Sequence, residues 1–261
     1  MKVIIDFLNT LSYVTIIPVG RLITILSRIS HYDEVNLTGL TKYLPFSGLI
    51  IGLILVMINS ALINLSCDGY LKGLILTVAW LFLTGGLHYD GLMDTCDGIA
   101  SHKDIEKTLI IMKDSRVGNF GVLAGLIVFS FKFIGIAHLN DKMTVISLVI
   151  LPILGRLTEV YAIGRYKYLR TTGSGKIWHD TSNFYVDFAL GLILLAIIAT
   201  LLSRIYNVNL FYLIISQVIV GILITRYFVY KLGGHTGDTY GASVELSECI
   251  SLIFINLFFN F

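Results

Sequence analysis

The sequence predicts an all-α, polytopic integral membrane bundle of about six to seven transmembrane helices in a single membrane-embedded domain, 1–261. Three observations lead there. Of the 261 residues, 56% are hydrophobic and only 14% charged, against about 25% charged in soluble domains. The apolar residues run in continuous stretches of spanning length and do not alternate as they would in a β-barrel. Only three prolines interrupt the chain, so long helices are allowed.

The first segment, 1–43, reads as a cytoplasmic or interfacial N-terminal region, partly amphipathic and retained. Asp6 breaks its apolar run early, and no small-residue cleavage site follows, so it is not a clean signal peptide. Six spans then stand out: Leu44–Leu65, Gly73–Leu87, Asn119–Leu139, Met143–Gly164, Val186–Ser203 and Val208–Tyr230. The second is short and is expected to extend into the acidic motif that follows it. The tail Ile250–Phe261 is apolar but only 12 residues long, so it is expected to pack into the bundle or dip into the bilayer without crossing. No internal repeat or low-complexity linker is evident.

Charge placement orients these spans. Thirteen Lys and Arg residues fall on one side, in 1–43, in the loops 88–118 and 165–185, and at Lys231. Three fall on the other: Lys72, Lys142 and Arg204. The thirteen-residue side is expected to be cytoplasmic, which makes this a multi-pass protein of the cell membrane, the inner membrane where there are two. The net charge of +2 contains no basic block of the kind that binds nucleic acid. Cys67, Cys96 and Cys249 lie far apart, without zinc-type pairing or an even count for disulfides.

Three motifs carry chemistry, all on the basic side. The first, TGGLHYDGLMDTCDGIA (Thr84 to Ala100), opens the acidic motif loop 88–118. Asp90, Asp94 and Asp97 stand four and then three residues apart, on one face if the segment is helical. Crowded carboxylates repel one another unless a cation neutralises them, and Mg²⁺ prefers such oxygen ligands. Gly91 and Gly98 let backbone or ligand approach. A solvated acidic helix end is the plain alternative, and the apolar span beside the motif argues against it.

The second motif is IMKDSRVGNFGVLAG, Ile111 to Gly125. Arg116 can hold a phosphate bidentately and Lys113 as a point charge, with Asp114 between them. Gly118 and Gly121 open the next span and could present backbone amides to a phosphate. A positive-inside anchor would look similar. The third is KLGGHTGDTYGASVELSE, Lys231 to Glu248, read as a Gly-rich acidic loop over 231–249. It surrounds His235, Thr236 and Asp238 with glycines, and Glu245 and Glu248 follow at helical spacing. A bare connector does not need three acids beside a bilayer.

Weaker signals remain. Arg156 and Glu159, three apart in an apolar run, form a structural ion pair or extend the polar site. TTGSGKIWHD, Thr171 to Asp180, lacks Walker A spacing and reads as a flexible substrate-facing loop. His88 and His179 are candidates for contacts only.

Taken together, TGGLHYDGLMDTCDG, IMKDSRVGNFG and LGGHTGDTYGASVELSE, in that order, resemble the cobalamin synthase family (adenosylcobinamide-GDP ribazoletransferase, or cobalamin 5′-phosphate synthase). LPFSGLIIG, Leu44 to Gly52, resembles the family's first span, and Arg156 falls where a family arginine is expected. The N-terminal family pattern Thr-Arg-hydrophobic-Pro-Val is here Thr15-Ile16-Ile17-Pro18-Val19, so the arginine is replaced, and Arg21 is the nearest substitute. The region 165–185 matches only loosely.

The resemblance implies the late nucleotide-loop assembly step of cobalamin biosynthesis. A ribose hydroxyl of α-ribazole, or of its 5′-phosphate, attacks the cobinamide-linked phosphorus of adenosylcobinamide-GDP. GMP leaves, and adenosylcobalamin or its 5′-phosphate results. With that chemistry, Mg²⁺ is the expected cofactor, held by Asp90, Asp94 and Asp97, with Asp114, Asp238, Glu245 and Glu248 completing the metal shell or orienting the basic residues. One of the three aspartates, or Asp238, is the alternative base for the hydroxyl. Lys113 and Arg116 would clamp phosphate, with Gly118, Gly121, Arg156, His235 and Thr236 contacting phosphate or substrate. The partners are the two substrates and the lipid bilayer; a homo-oligomer is left open.

Two other classes share part of this pattern. A CDP-alcohol phosphotransferase also sets aspartates at helical spacing beside a membrane. Its Asp-Gly is followed by Ala-Arg, whereas Asp97-Gly98 here precedes Ile99-Ala100-Ser101. A cation transporter predicts acids near mid-span; here, Glu159 apart, they gather at the basic side.

Overall fold

Among the described residues six helices are long and apolar enough to cross a membrane, and a seventh span is reached only if the bent pair Gly69–Leu83 and Leu87–Ala100 counts as one. The structure is a computed structural model that describes residues 1–30 and 37–259. Residues 31–36 of the N-terminal segment and 260–261 of the tail lie outside the described residues. The described chain forms twelve α-helices and no strand.

The N-terminal segment is two amphipathic helices, α1 (Lys2–Val14) and α2 (Gly20–Ser30). Ile5, Leu8 and Ile23 pack them together, while Ile4, Leu22, Ile25 and Ile29 stay exposed, as suits a helix pair lying in a bilayer interface. A 3₁₀ turn, Thr41–Tyr43, leads into α3 (Leu44–Asn64). Then come α4 (Gly69–Leu83), α5 (Leu87–Ala100), α6 (Ile105–Ile111), α7 (Asn119–His138), α8 (Asp141–Arg165), α9 (Ser174–Thr181), α10 (Phe184–Tyr206), α11 (Phe211–Leu232) and α12 (Gly237–Phe258).

Helix α8 is the axis of the bundle, with 94% of its apolar window buried against 22% for α10 and 28% for α7. Around it pack α3, α10, α11 and α12. The outer helices turn Leu126, Ile127, Ile193 and Ile197 outward, the pattern of a lipid-facing surface. The core runs through Ile51, Leu55, Leu76, Ile146, Ile150 and Leu252. One glycine shows how tightly α3 seats on α8. Pro152 has no N–H for the Leu148 carbonyl, and a methyl built on Gly52 would stand 2.6 Å from that carbonyl oxygen.

Three expectations about elements need correction. The second span does not run on into the aspartate motif: α4 ends at Leu83, and α5 leaves it at 89°. Its 15 residues reach about 22 Å, short of a hydrocarbon core of about 30 Å. Lys72 near its start pairs with Asp141 at the start of α8, at 3.2 Å, which ties those two starts to the same end of the bundle. The tail from Ile250 is not a separate short piece, because it continues α12, a helix of 22 residues. The segment 231–249 is a loop only across Gly233–Thr236. There Gly233 takes a left-handed φ of +81° to close α11, and Thr236 opens α12 with a capping box to Thr239.

Candidate active site

The acidic corner is built by two helices that glycine lets come close. Gly85 and Gly86 have φ of +60° and +71°, a pair of left-handed residues that turns the chain between α4 and α5. Helix α5 then packs against the first turns of α12. A methyl on Gly91 would stand 2.7 Å from the Asp238 carbonyl oxygen, and one on Gly241 would stand 2.9 Å from the His88 Cα. Asp90 and Asp94 of α5 therefore face the same corner as Asp238 of α12. Burial, then the charges of Asp90, Asp238 and Asp97, push the Asp94 carboxyl up to about 6, with Arg170 partly opposing them.

Arg170 is the cation of this corner. Its Nη2 donates to Asp238 Oδ2 at 2.5 Å. It is carried there by the segment after α8, which is clipped to the α11–α12 turn by backbone bonds. Leu169 N donates to the His235 carbonyl at 2.8 Å, and His235 N donates to the Lys167 carbonyl at 2.9 Å. Asp90, Asp238 and Arg170 line one side of a cleft of about 220 Å³; His88 and Glu159 also line it, as do Tyr13, Trp178 and Gly173–Gly175 at the start of α9. Thr171–Asp180 is thus mostly a short helix whose N-terminus borders the cleft, and not a flexible loop.

Several predicted residues are placed elsewhere. Asp97 turns to α7, where its carboxylate accepts the amides of Gly118 and Gly121, both at 2.7 Å. Those amides are therefore held by the chain's own carboxylate and are not open to a phosphate. Asp114 and Arg116 pair with each other at 2.8 Å on the surface, and the guanidinium holds the Asp114 carboxyl down at about 2. Lys113 is exposed beside them, and neither it nor Arg116 lines the cleft.

Arg156 does not pair with Glu159. It pairs with Glu248, and Lys132 Nζ bridges Glu245 at 2.6 Å and Glu248 at 2.7 Å. Two cations and two carboxylates thus make a neutral buried quartet between α7, α8 and α12, so Glu245 and Glu248 are not free metal ligands. Mid-bundle acids do exist, then, and Glu245 and Glu248 have cations matched to them.

His235 is a core residue, fully buried and stacked on Tyr166 and Tyr240. Burial pushes its imidazole down to about 4, leaving it neutral, which ill suits a phosphate contact. Thr236 is occupied as the cap of α12. Among the described residues no group of three or more His, Cys, Asp or Glu forms a metal cluster.

Sequence reasoning missed Arg170, Lys132, Tyr13 and Trp178. Lys132 had a signal, since a lone lysine in an apolar span calls for a buried partner. Arg170 had none, because its role depends on the clip to residue 235. Ile16, standing where the family arginine is expected, donates its amide to the Leu83 carbonyl at 3.0 Å, beside the α4–α5 corner.

A model of the family described as Cobalamin-5-phosphate synthase matches residues 6–256 of the chain. The chain is 36% identical to an adenosylcobinamide-GDP ribazoletransferase of Thermosynechococcus vestitus, over 95% of this chain and 94% of that protein. It is 33% identical to one of Fusobacterium nucleatum, over 97% and 96%, and 33% identical to one of Clostridium acetobutylicum, over 80% and 81%. No solved structure matches.

Proposed function

The chain belongs to the cobalamin-5-phosphate synthase family, and we infer that the cleft under Asp90, Asp94, Asp238 and Arg170 is where that family's transfer takes place. It is an enzyme of cobalamin nucleotide-loop assembly. The ribose hydroxyl of α-ribazole, or of its 5′-phosphate, attacks the cobinamide-linked phosphorus of adenosylcobinamide-GDP, and GMP departs.

The single observation behind this reading is the convergence of Asp90, Asp238 and Arg170 on one cleft, with Asp94 one turn along α5 in the electrostatic reach of all three. A pyrophosphate cannot sit there unaided, because the corner is itself anionic. Mg²⁺ fits: it keeps several waters and takes only one or two carboxylates plus substrate phosphates, so a cluster of three protein ligands is not required. Asp90 and Asp94, one turn apart on α5, are the residues that would hold it. When bound, it would neutralise the pyrophosphate and the departing GMP. Arg170, anchored on Asp238, would add its remaining donors to the phosphate. Asp97 supports the site from outside by fixing the start of α7. Lys113, Arg116, Asp114, Glu245, Glu248, His235 and Thr236 drop out of the chemistry.

The thirteen basic residues at the cleft's end of the chain support a cytoplasmic opening in the cell membrane. The test is GMP release by the detergent-purified chain given adenosylcobinamide-GDP, α-ribazole 5′-phosphate and Mg²⁺. GMP and a cobalamin product, both lost with EDTA, are expected. No product there, but product from a CDP-linked donor, would reassign the chain to lipid synthesis.

A further inference from the structure

The cleft contains more polar machinery than the corner uses. His88 Nε2, Glu159 Oε2, Trp178 Nε1 and the Tyr240 hydroxyl are buried without a hydrogen-bond partner. All four residues line the cleft, and none is more than 4% exposed. Other buried polar atoms among the described residues also lack a partner, and what sets these four apart is that they converge on a single cleft, as a place built for a polar ligand would have them do. His88 Nε2 and Glu159 Oε2 are 3.6 Å apart, too far for a hydrogen bond, which leaves both with capacity to take a hydroxyl. Tyr13 and Trp178 add rings at 4.8 Å centroid separation on another wall.

We propose that this cleft is the subsite of the acceptor nucleoside, with the aromatic base of α-ribazole against Tyr13 and Trp178 and its ribose hydroxyls on Glu159 and His88. This rests on the transferase reading above.

Two features choose the acceptor over the guanosine end of the donor, and a third excludes the corrinoid end. The free groups are a carboxylate, an indole N–H and groups that can both donate and accept, which match neutral hydroxyls; a phosphate beside Glu159 would be repelled. The aromatic wall offers one free donor, Trp178 Nε1, and guanine's polar edge needs several partners. A cleft of about 220 Å³ suits a small nucleoside and excludes the corrinoid. With the ribose so seated, its hydroxyl lies next to the corner that receives the pyrophosphate.

The protein supplies its own reporter. It has two tryptophans, and Trp80 is buried away from the cleft with Lys132 Nζ 4.6 Å from its ring centre. The experiment titrates free α-ribazole into the detergent-purified full chain, without donor or metal, and reads tryptophan emission. Saturable quenching is expected. It should vanish in Trp178→Phe while Trp80 emission remains, and the apparent Kd should rise at least about tenfold in Glu159→Gln as the charge is removed and one of two acceptor oxygens becomes a donor. Tyr13→Leu, at the more exposed ring, should weaken binding as well and serves if Trp178→Phe does not fold. GMP should neither quench nor compete.

Turnover by wild type without quenching, competition by GMP, or unchanged binding in Glu159→Gln would each overturn the subsite and leave the transferase reading intact. Quenching without turnover would leave the subsite and overturn the transferase reading.

Discussion

Arg170 donates to Asp238 at 2.5 Å, and so joins the segment after α8 to the first turn of α12. Neither residue is near the other in sequence, and both line the cleft. Replacing Arg170 by Ala should leave Asp238 unpaired in an anionic corner and remove the one Lys or Arg among the described residues that line the cleft. The expected loss in kcat/KM is about 100-fold, the scale of one preorganised donor. Arg170→Lys should recover part of it, since a point charge can neutralise Asp238 but cannot also reach a phosphate with a second arm. Initial rates of GMP release decide this; equal rates in all three proteins would remove Arg170 from the site.

The quartet of Lys132, Arg156, Glu245 and Glu248 should behave as structure. Lys132→Met leaves two carboxylates sharing one arginine inside the bundle, and breaking a buried pair in this way costs about 3–5 kcal/mol. Thermal unfolding in detergent should show a large drop in Tm, partly restored by adding Glu245→Gln. An unchanged Tm for Lys132→Met would contradict the quartet.

Asp97 should part company with Asp94. Because it caps the start of α7, Asp97→Ala should lower stability by about 1–2 kcal/mol, seen as a lower Tm. Its Mg²⁺ midpoint in the GMP-release assay should match that of wild type. A shifted midpoint with unchanged Tm would return Asp97 to the metal shell.

The pH dependence has a definite sign. The Asp94 carboxyl is pushed up to about 6 by burial and by Asp90, Asp238 and Asp97, so its proton persists to a higher pH than an ordinary aspartate's. A metal must displace that proton. The Mg²⁺ concentration for half-maximal rate should therefore be flat above pH 7 and rise about tenfold per unit below 6. Titrations at pH 5, 6 and 7.5 test it. A midpoint that stays constant down to pH 5 would exclude Asp94 as a ligand.

The bundle and its acidic corner were legible because hydropathy and charge placement are local properties of sequence. Asp90, Asp94 and Asp238 could be picked out by type and by their place beside a span. The partners of Glu245 and Glu248 could not, because Lys132 lies 113 residues from Glu245 and only packing brings them together. The same holds for Asp97, whose spacing matches a ligand triplet while its carboxylate turns to the amides of Gly118 and Gly121. The 89° turn after α4 is not legible from hydropathy, which averages over residues and does not report the left-handed backbone of Gly85 and Gly86 that ends the helix.

The most direct measurement compares GMP release by Asp90→Asn, Asp94→Asn and Asp114→Asn, each checked for folding and membrane insertion. If the cleft is the active site, the first two should fall by about 100-fold or more, and Asp114→Asn, a surface pair remote from the cleft, should stay within about twofold of wild type. An Asp94→Asn enzyme that folds, inserts and keeps full activity would contradict it.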